Sequence, residues 1–419
     1  MLLIDNAETF DFDNLEIDTL WNFPQERELK IHQIHAYPAK FPAFVTTKAI
    51  DYAKSINTKV ETIADIFCGC GTTALEAKRN NINYWGCDIN PVATLIAKTK
   101  SRSYQLKRIE NYYKLITSSI KRRKISDDYD NANERLKYWY SKKRYNELAL
   151  LKKIIKDNIP ENSDYRLFFL CAFSNILKPA SSWLTKSIKP QYDPKKKTTN
   201  SFLLFKLQYD KMIVALKELP SLGNASNEIK TCNFLDQTIN FSKVDLIVTS
   251  PPYVTSYEYA DLHQLSSLWL DFTDDYKELR KGSIGSMYHQ NAEEKKLELN
   301  NTAKKIVEDL KLRQKEIVRS IEKYFFDMQK TAKKTHRLLN KNGLALFVIG
   351  NTEYKNVKID NARHLAESLQ KANYSSVYVV KRKISNKMLT PYRDEQGRFT
   401  SNSKGRKIYN EEFILVGRK

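Results

Sequence analysis

The 419-residue chain has little of what staples or punctuates a small fold: five cysteines, eleven glycines and twelve prolines. Cys68, Cys70, Cys87, Cys171 and Cys232 form no CxxC pair and have no histidine at metal-ligand spacing. That pattern argues against a zinc site and against a disulfide framework, and no metal is expected. No apolar run approaches the roughly 18 residues that a membrane span needs. The N-terminus, MLLIDNAETFDFDNLEIDTL, is acidic and lacks the basic-then-apolar layout of a secretory signal. These absences predict a soluble, cytoplasmic protein with free thiols. At 41% hydrophobic and 11% aromatic residues the chain can bury a sizeable core, and its length suits two or three domains or one domain with a large insertion. Acid is the other shortfall, with 49 Asp and Glu against 70 Lys and Arg. A net charge of +21 predicts a polyanionic partner.

The charge is concentrated. Residues 101–230 hold 27 Lys and Arg against 13 Asp and Glu, two thirds of the excess. The stretch contains KRRK at Lys121 to Lys124, KKR at Lys142 to Arg144 and KKK at Lys195 to Lys197, interleaved with Tyr112, Tyr113, Tyr138, Trp139 and Tyr140. Basic clusters beside aromatics suit phosphate contact with base stacking. The bland alternative is a solvated face on amphipathic helices, since LKRIENYYKLITSSIKRRK has apolar residues at helical spacing.

Around this stretch runs an α/β frame. ETIADIF at Glu61 to Phe67 reads as a strand, CGCGTT as a glycine turn and ALEAKRN as a helix. NYWGCDI forms a second strand to Asp88, and Pro91 opens another helix. Helical spacing fills 104–123, 133–157, 162–178 and 201–219. Strands return at EIKTCNF, VDLIVTS, GLALFVIG, YSSVYVVKRKI and EEFILVG, with a polar loop over 385–410. The charged run from Leu297 to Met328 reads as an exposed helical arm. This alternation predicts a mostly parallel sheet, covered on both faces and closing on an antiparallel pair. The expected segments are 1–100 and 228–419, sharing one sheet with a helical arm near 275–340, and 101–227, a basic and mainly helical insertion.

Two motifs carry chemistry. In Asp65-Ile66-Phe67-Cys68-Gly69-Cys70-Gly71-Thr72 the glycines let the backbone leave a buried strand and pass close under a ligand, with a helix N-terminus behind. Asp88, at the end of the next strand, can accept both hydroxyls of a ribose. In Thr249-Ser250-Pro251-Pro252-Tyr253 two prolines hold a rigid extended backbone and donate nothing, which leaves carbonyls and the Ser250 oxygen as acceptors for an amine. Tyr253 offers a face for a planar base.

SPPY after a strand, with a D-x-F-x-G-x-G loop upstream, resembles the DNA amino-methyltransferases, which methylate cytosine-N4 or adenine-N6. His35-Ala36-Tyr37-Pro38-Ala39-Lys40-Phe41-Pro42 is similar to the segment that, in that family, packs on the methionine end of S-adenosylmethionine. The resemblance covers about 30–100 and 228–419. It implies a class I methyltransferase-like Rossmann sheet with a terminal antiparallel hairpin and an inserted helical domain, with S-adenosyl-L-methionine as cofactor. The implied cofactor-binding residues are Tyr37, Pro38, Lys40, Phe41, Asp65, Phe67, Gly69, Gly71, Thr72 and Asp88, with Asn233 and Asp236 near the adenine. Ser250 and the Pro251 carbonyl would accept the amine protons, with Pro252 stiffening the turn and Tyr253 stacking on the base.

Two such acceptors localise a lone pair that is otherwise delocalised into the ring. Methylation at cytosine C5 would need a thiolate from a Pro-Cys pair, and no cysteine here follows a proline. The implied partner is double-stranded DNA, from which the base must be flipped, with a restriction or defence system as a further partner. Serine at the first motif position is commoner among the cytosine-N4 enzymes. The insertion precedes Asn233 and Asp236 rather than following them as in the usual family orders, so either 101–227 or 270–330 reads the target; charge favours the first. Tyr257, Glu258, Tyr259, Asp261 and His263 are further candidates for the base pocket. An RNA base methyltransferase, or a nucleic-acid binder on a decayed frame, are the alternatives.

Overall fold

One central sheet is built from β1 (Leu2–Leu3), β2 (Thr62–Asp65), β3 (Asn83–Asp88), β4 (Asn227–Thr231), β5 (Val244–Thr249), β6 (Leu339–Ile349), β7 (Ser376–Lys383) and β8 (Glu411–Arg418). The computed structural model describes residues 1–22, 27–38, 40–254, 258–286, 288, 297–313, 315–354, 357–384, 392–393, 399–400, 402, 406–407 and 411–419. The strand order is β1-β7-β8-β6-β5-β2-β3-β4. Strands β4, β3, β2, β5 and β6 run parallel, while β8 pairs antiparallel with both β6 and β7. The β-branched and aliphatic run Val244 to Val248 suits a strand covered on both faces, and Leu246, Ile247 and Val248 are buried.

Helices α1 (Ala43–Ser55), α2 (Thr72–Arg79) and α3 (Pro91–Ser101) cover one face, sharing a core with Ile63, Leu246, Val348, Val380 and Ile414. The other face carries α11 (Asn301–Arg313), α12 (Lys315–Leu338) and α13 (Asn361–Lys371), which close over Ile247, Phe347, Val379 and Leu415. This corrects the expectation of an exposed arm over Leu297 to Met328. Ile317, Ile321, Tyr324, Phe325 and Met328 recur at helical spacing and form a buried stripe, so the charges that dominate the composition lie on the opposite side of α12. The short strand β1 was not anticipated; Leu2 and Leu3 pair with Val379 and Tyr378 and extend the antiparallel side by one strand.

Between β3 and β4 the chain is helical: α4 (Leu106–Arg122), α5 (Glu134–Trp139), α6 (Lys142–Asn158), α7 (Asp164–Ala180) and α8 (Ser201–Glu218). The single helix expected over 133–157 is two. Tyr140 is extended, and Ser141 restarts the helix by accepting from Arg144 N. Trp139, Phe168, Phe169, Phe173, Phe205 and Met212 form a further core with Leu75 of α2 and Val92 and Ile96 of α3, joined by Ile31 and Ile34 from the N-terminal segment. The short helices α9 (Tyr259–Leu262) and α10 (Gln264–Trp269) follow β5, and Leu265, Leu268 and Trp269 complete the same core. Two of the aromatic residues expected to be open for stacking, Trp139 and Tyr140, are therefore structural; of that group Tyr138 is exposed. Among the described residues no helix is long and apolar enough to cross a membrane.

The parallel strand order reverses between β2 and β5, so their carboxyl ends open a crevice of the kind where α/β sheets bind ligands. Gly71, at the start of α2, has φ +78°, and a Cβ there would lie 2.6 Å from Ala97 Cα on α3. Gly71→Ala should therefore lower stability by about 2–4 kcal/mol in chemical denaturation, through left-handed strain and overpacking together.

Candidate active site

Asp65 ends β2 and Thr249 ends β5, and the two side chains meet across the crevice. Thr249 Oγ1 donates to Asp65 Oδ1 at 2.6 Å, and Phe67 N donates to the same oxygen at 3.2 Å. Asp65 is almost wholly buried, and that burial pushes its carboxyl up to about 7. Its role is thus to tie the glycine loop to the strand carrying the Ser-Pro-Pro-Tyr turn. Phe67 packs edge-on against Phe234, 6.3 Å between ring centres. Thr72 is buried at the first turn of α2.

The glycine loop is fixed from the other side by Asp88 at the end of β3. Asp88 Oδ2 accepts from Gly69 N at 2.9 Å and Oδ1 from Asn90 N at 2.8 Å, while burial raises its carboxyl to about 6. Over the loop stands Tyr37. A Cβ on Gly69 would lie 3.5 Å from Tyr37 Cε1, so the missing side chain leaves room for that ring. Tyr37 stacks on His263, 5.1 Å between centres and 18° between planes, and on Tyr259 at 6.1 Å and 17°. Burial lowers His263 to about 3, so its imidazole is neutral, and among the described residues its Nε2 has no hydrogen-bond partner.

Sequence reasoning missed how the helical segment holds this group. His35 Nε2 lies 2.9 Å from Ser174 Oγ on α7, which donates to Ser266 Oγ on α10 at 2.8 Å. Ala36 N donates to Asn175 Oδ1, Asn175 to Gln208 Oε1, and Gln208 Nε2 to Ile34 O. No motif signals these bonds, because the partners of Ile34, His35 and Ala36 lie more than a hundred residues further along the chain.

Other expected residues lie elsewhere. Lys40 Nζ donates to Glu28 Oε2 at 2.7 Å and to His32 O at 3.1 Å, and Phe41 is buried under α1, so both support the segment from behind. Pro38 is half-buried beside Tyr37, and Ala39 lies outside the described residues. Asp236 is exposed and accepts from its own Thr238 N at 2.9 Å. Asn233 is half-buried, and its Nδ2 donates to Gly282 O beside Ile89. Asp261 is paired with Arg280 at 2.6 Å, and Tyr257 lies outside the described residues.

Ser250 follows Thr249 and is half-buried; Pro251 is buried, Pro252 and Tyr253 partly so. Burial raises the Tyr253 phenol, and the neighbouring Ser250 side chain acts against that rise. A Cβ on Gly350 would lie 3.2 Å from Tyr253 Cε2, so the ring rests on the backbone that follows β6.

The residues present fit a nucleoside-bearing cofactor. Asp88 is a carboxylate at the carboxyl end of the strand beside the glycine loop, suited to a pair of hydroxyls, and the loop offers backbone rather than side chains. In comparison with known proteins, residues 10–99 match a family model described as DNA methylase. The chain is 23% identical over 389 residues to the type II methyltransferase M.MvaI of Kocuria varians, covering 85% of each chain. It is 24% identical over 331 residues to the type II methyltransferase M.BsoBI of Geobacillus stearothermophilus, covering 70% of this chain and 62% of that one. Over 145 residues it is 30% identical to the type II methyltransferase M.MjaII of Methanocaldococcus jannaschii, covering 33% of this chain and 26% of that one.

Because the folded-state pKa of Asp65 lies above the ordinary aspartate value, the native state holds its proton more tightly than the unfolded chain does. Its contribution to stability is therefore fully present at low pH and lost as pH rises through about 7. Asp65→Asn should narrow this loss, gaining on the wild type by about 3–5 °C in Tm between pH 5 and pH 8 in thermal melts.

Proposed function

We propose that this chain, a member of the S-adenosylmethionine-dependent DNA amino-methyltransferase family, methylates the exocyclic amine of a base flipped from a specific duplex site, cytosine-N4 in preference to adenine-N6. The observation that carries the reading is the placement of Ser250-Pro251-Pro252-Tyr253 one strand from the glycine loop, across the point where strand order reverses.

Each residue has a task in that arrangement. Asp88 accepts the ribose hydroxyls, Gly69 and Gly71 keep the loop low, and Tyr37 with Pro38 closes the methionine side. Asn233 replaces Asp236 as the adenine neighbour. The Ser250 oxygen and the Pro251 carbonyl accept the two amine protons, which turns the nitrogen lone pair out of the ring plane and aims it across the crevice. Bound S-adenosylmethionine supplies a methyl group on a sulfonium centre. Tyr253 stacks on the base and replaces the neighbours that it left in the duplex. Serine at position 250 is the feature that favours cytosine. The relatives are type II methyltransferases, and a restriction-modification role follows from that likeness.

The helices α4 to α8 supply the grip on DNA. Lys121, Arg122, Lys124, Lys195 and Lys197 are exposed and available for phosphate. Arg123 is paired with Asp157, and Lys196 donates to Lys178 O and Trp183 O, with burial lowering it to about 8.

The purified protein should transfer labelled methyl from S-adenosylmethionine to unmethylated duplex DNA, yielding N4-methylcytosine on digestion to nucleosides. Label in RNA alone would sink the DNA reading. Ser250→Ala should lower kcat by about 100-fold with little change in DNA affinity. Replacing the five exposed cations by glutamine should weaken DNA binding and flatten its salt dependence by roughly 2–4 in log–log slope, with cofactor affinity unaltered; titrations at several salt concentrations read both.

A further inference from the structure

Beside Tyr253 the sheet edge carries a buried charge whose hydrogen bonds are half made. Arg382 on β7 is fully buried, and its Nη1 donates to Glu412 Oε1 on β8 at 2.6 Å. The two residues are direct cross-strand partners, so their side chains leave the same face of the sheet. Among the described residues, Arg382 Nε and Nη2 have no hydrogen-bond partner. Those two atoms form one edge of the guanidinium: a pair of parallel N–H groups, the arrangement that binds two adjacent acceptors at once. A buried donor pair left unmet in the free protein is costly and calls for a ligand.

The strand register shows where that edge lies. Phe413 pairs with Ile349, so one residue further Glu412 stands opposite Gly350, on which the Tyr253 ring rests. Tyr253, Glu412 and Arg382 thus form a row on one face at the carboxyl edge of the sheet. Phe44 bounds it, its ring centre 5.1 Å from the guanidinium carbon, and Glu412 acts electrostatically on the Tyr253 hydroxyl. From β5 the row runs across β6 and β8 to β7, about 14 Å at ordinary strand spacing. Asp88 and the glycine loop lie the other way, on β3 and β2. Arg382 therefore lies on the Tyr253 side of the strand-order reversal, away from Asp88.

We propose that Arg382, positioned by Glu412, reads the ring of the target base through Nε and Nη2, and that the base it selects is cytosine. Beside its amine, cytosine presents N3 and O2 as two neighbouring acceptors. Adenine presents N1 next to a C–H and leaves one donor unmet. With Ser250 and Pro251 accepting from the amine, Arg382 completes recognition of the whole pairing edge. This rests on the DNA-methylation reading above and names the base within it.

The test uses the full-length protein and two duplexes carrying its target site, one with cytosine and one with 3-deazacytosine, which lacks the N3 acceptor, at the methylated position. The wild type should lose about 10- to 100-fold in kcat/KM on the analogue. Arg382→Met should lose a similar factor on cytosine and little more on the analogue, so that the ratio between the two duplexes collapses. Arg382→Lys keeps the charge beside Glu412 but has no bidentate edge, and should show the same collapse if the methionine variant fails to fold. S-adenosylmethionine affinity should stay at the wild-type value throughout. An unchanged ratio in the lysine variant, with N4-methylcytosine as product, would overturn the role of Arg382 and leave the proposed reaction standing. N6-methyladenine as the product of the wild type would overturn the choice of cytosine and the role of Arg382 together.

Discussion

The hydrogen bond from Thr249 to Asp65 is the constraint on which the crevice depends. Strands leaving a reversal point diverge, and nothing in the ladder beyond Asp65 and Thr249 fixes the two loops relative to one another. One buried carboxyl does so, holding Thr249 on one side and the Phe67 amide on the other. Ser250 is the residue after Thr249, so its side chain and the glycine loop share an anchor. Asp88 repeats the device one strand away, with Gly69 N as its load. The desolvation of both acids is the cost of a site whose backbone is placed before any ligand arrives.

The helical segment is a second partner in the construction. Its core does not close on itself. It takes Ile31 and Ile34 from before the first sheet motif and Trp269 from beyond the Ser-Pro-Pro-Tyr turn. Gln264 shows the join in a single residue: its Oε1 accepts from Arg135 Nε and from the indole of Trp139. The elements that follow β5 are therefore held by residues inserted between β3 and β4.

Much of the sheet was legible in the sequence because local chemistry fixes it. A β-branched run ending in Asp65 and two glycines at left-handed φ can form little other than a strand and a turn, and Pro91 behind the capping Asn90 marks the start of α3. What was not legible depends on partners distant in the chain. Lys40 looks like a ligand contact until Glu28 is seen beside it, and the charged run over 297–328 looks exposed until its apolar stripe meets the sheet. Trp139 and Tyr140 sit among cations in the sequence and inside a core in the fold. Charge count has the same weakness: Lys152 and Lys156 both bind Asp271, so part of the positive excess is neutralised internally.

The bonds from Ile34, His35 and Ala36 to α7 and α8 have a consequence for how such a chain can be recombined. Tyr37 stands over Gly69 while the residues just before it are held by Ser174, Asn175 and Gln208, so the cover of the crevice is supported from the helical layer and its floor from the sheet. The helical layer is consequently not a detachable module. A set of helices grafted from a relative would need to bring those three side chains, or it would arrive with the cover of the crevice unsupported.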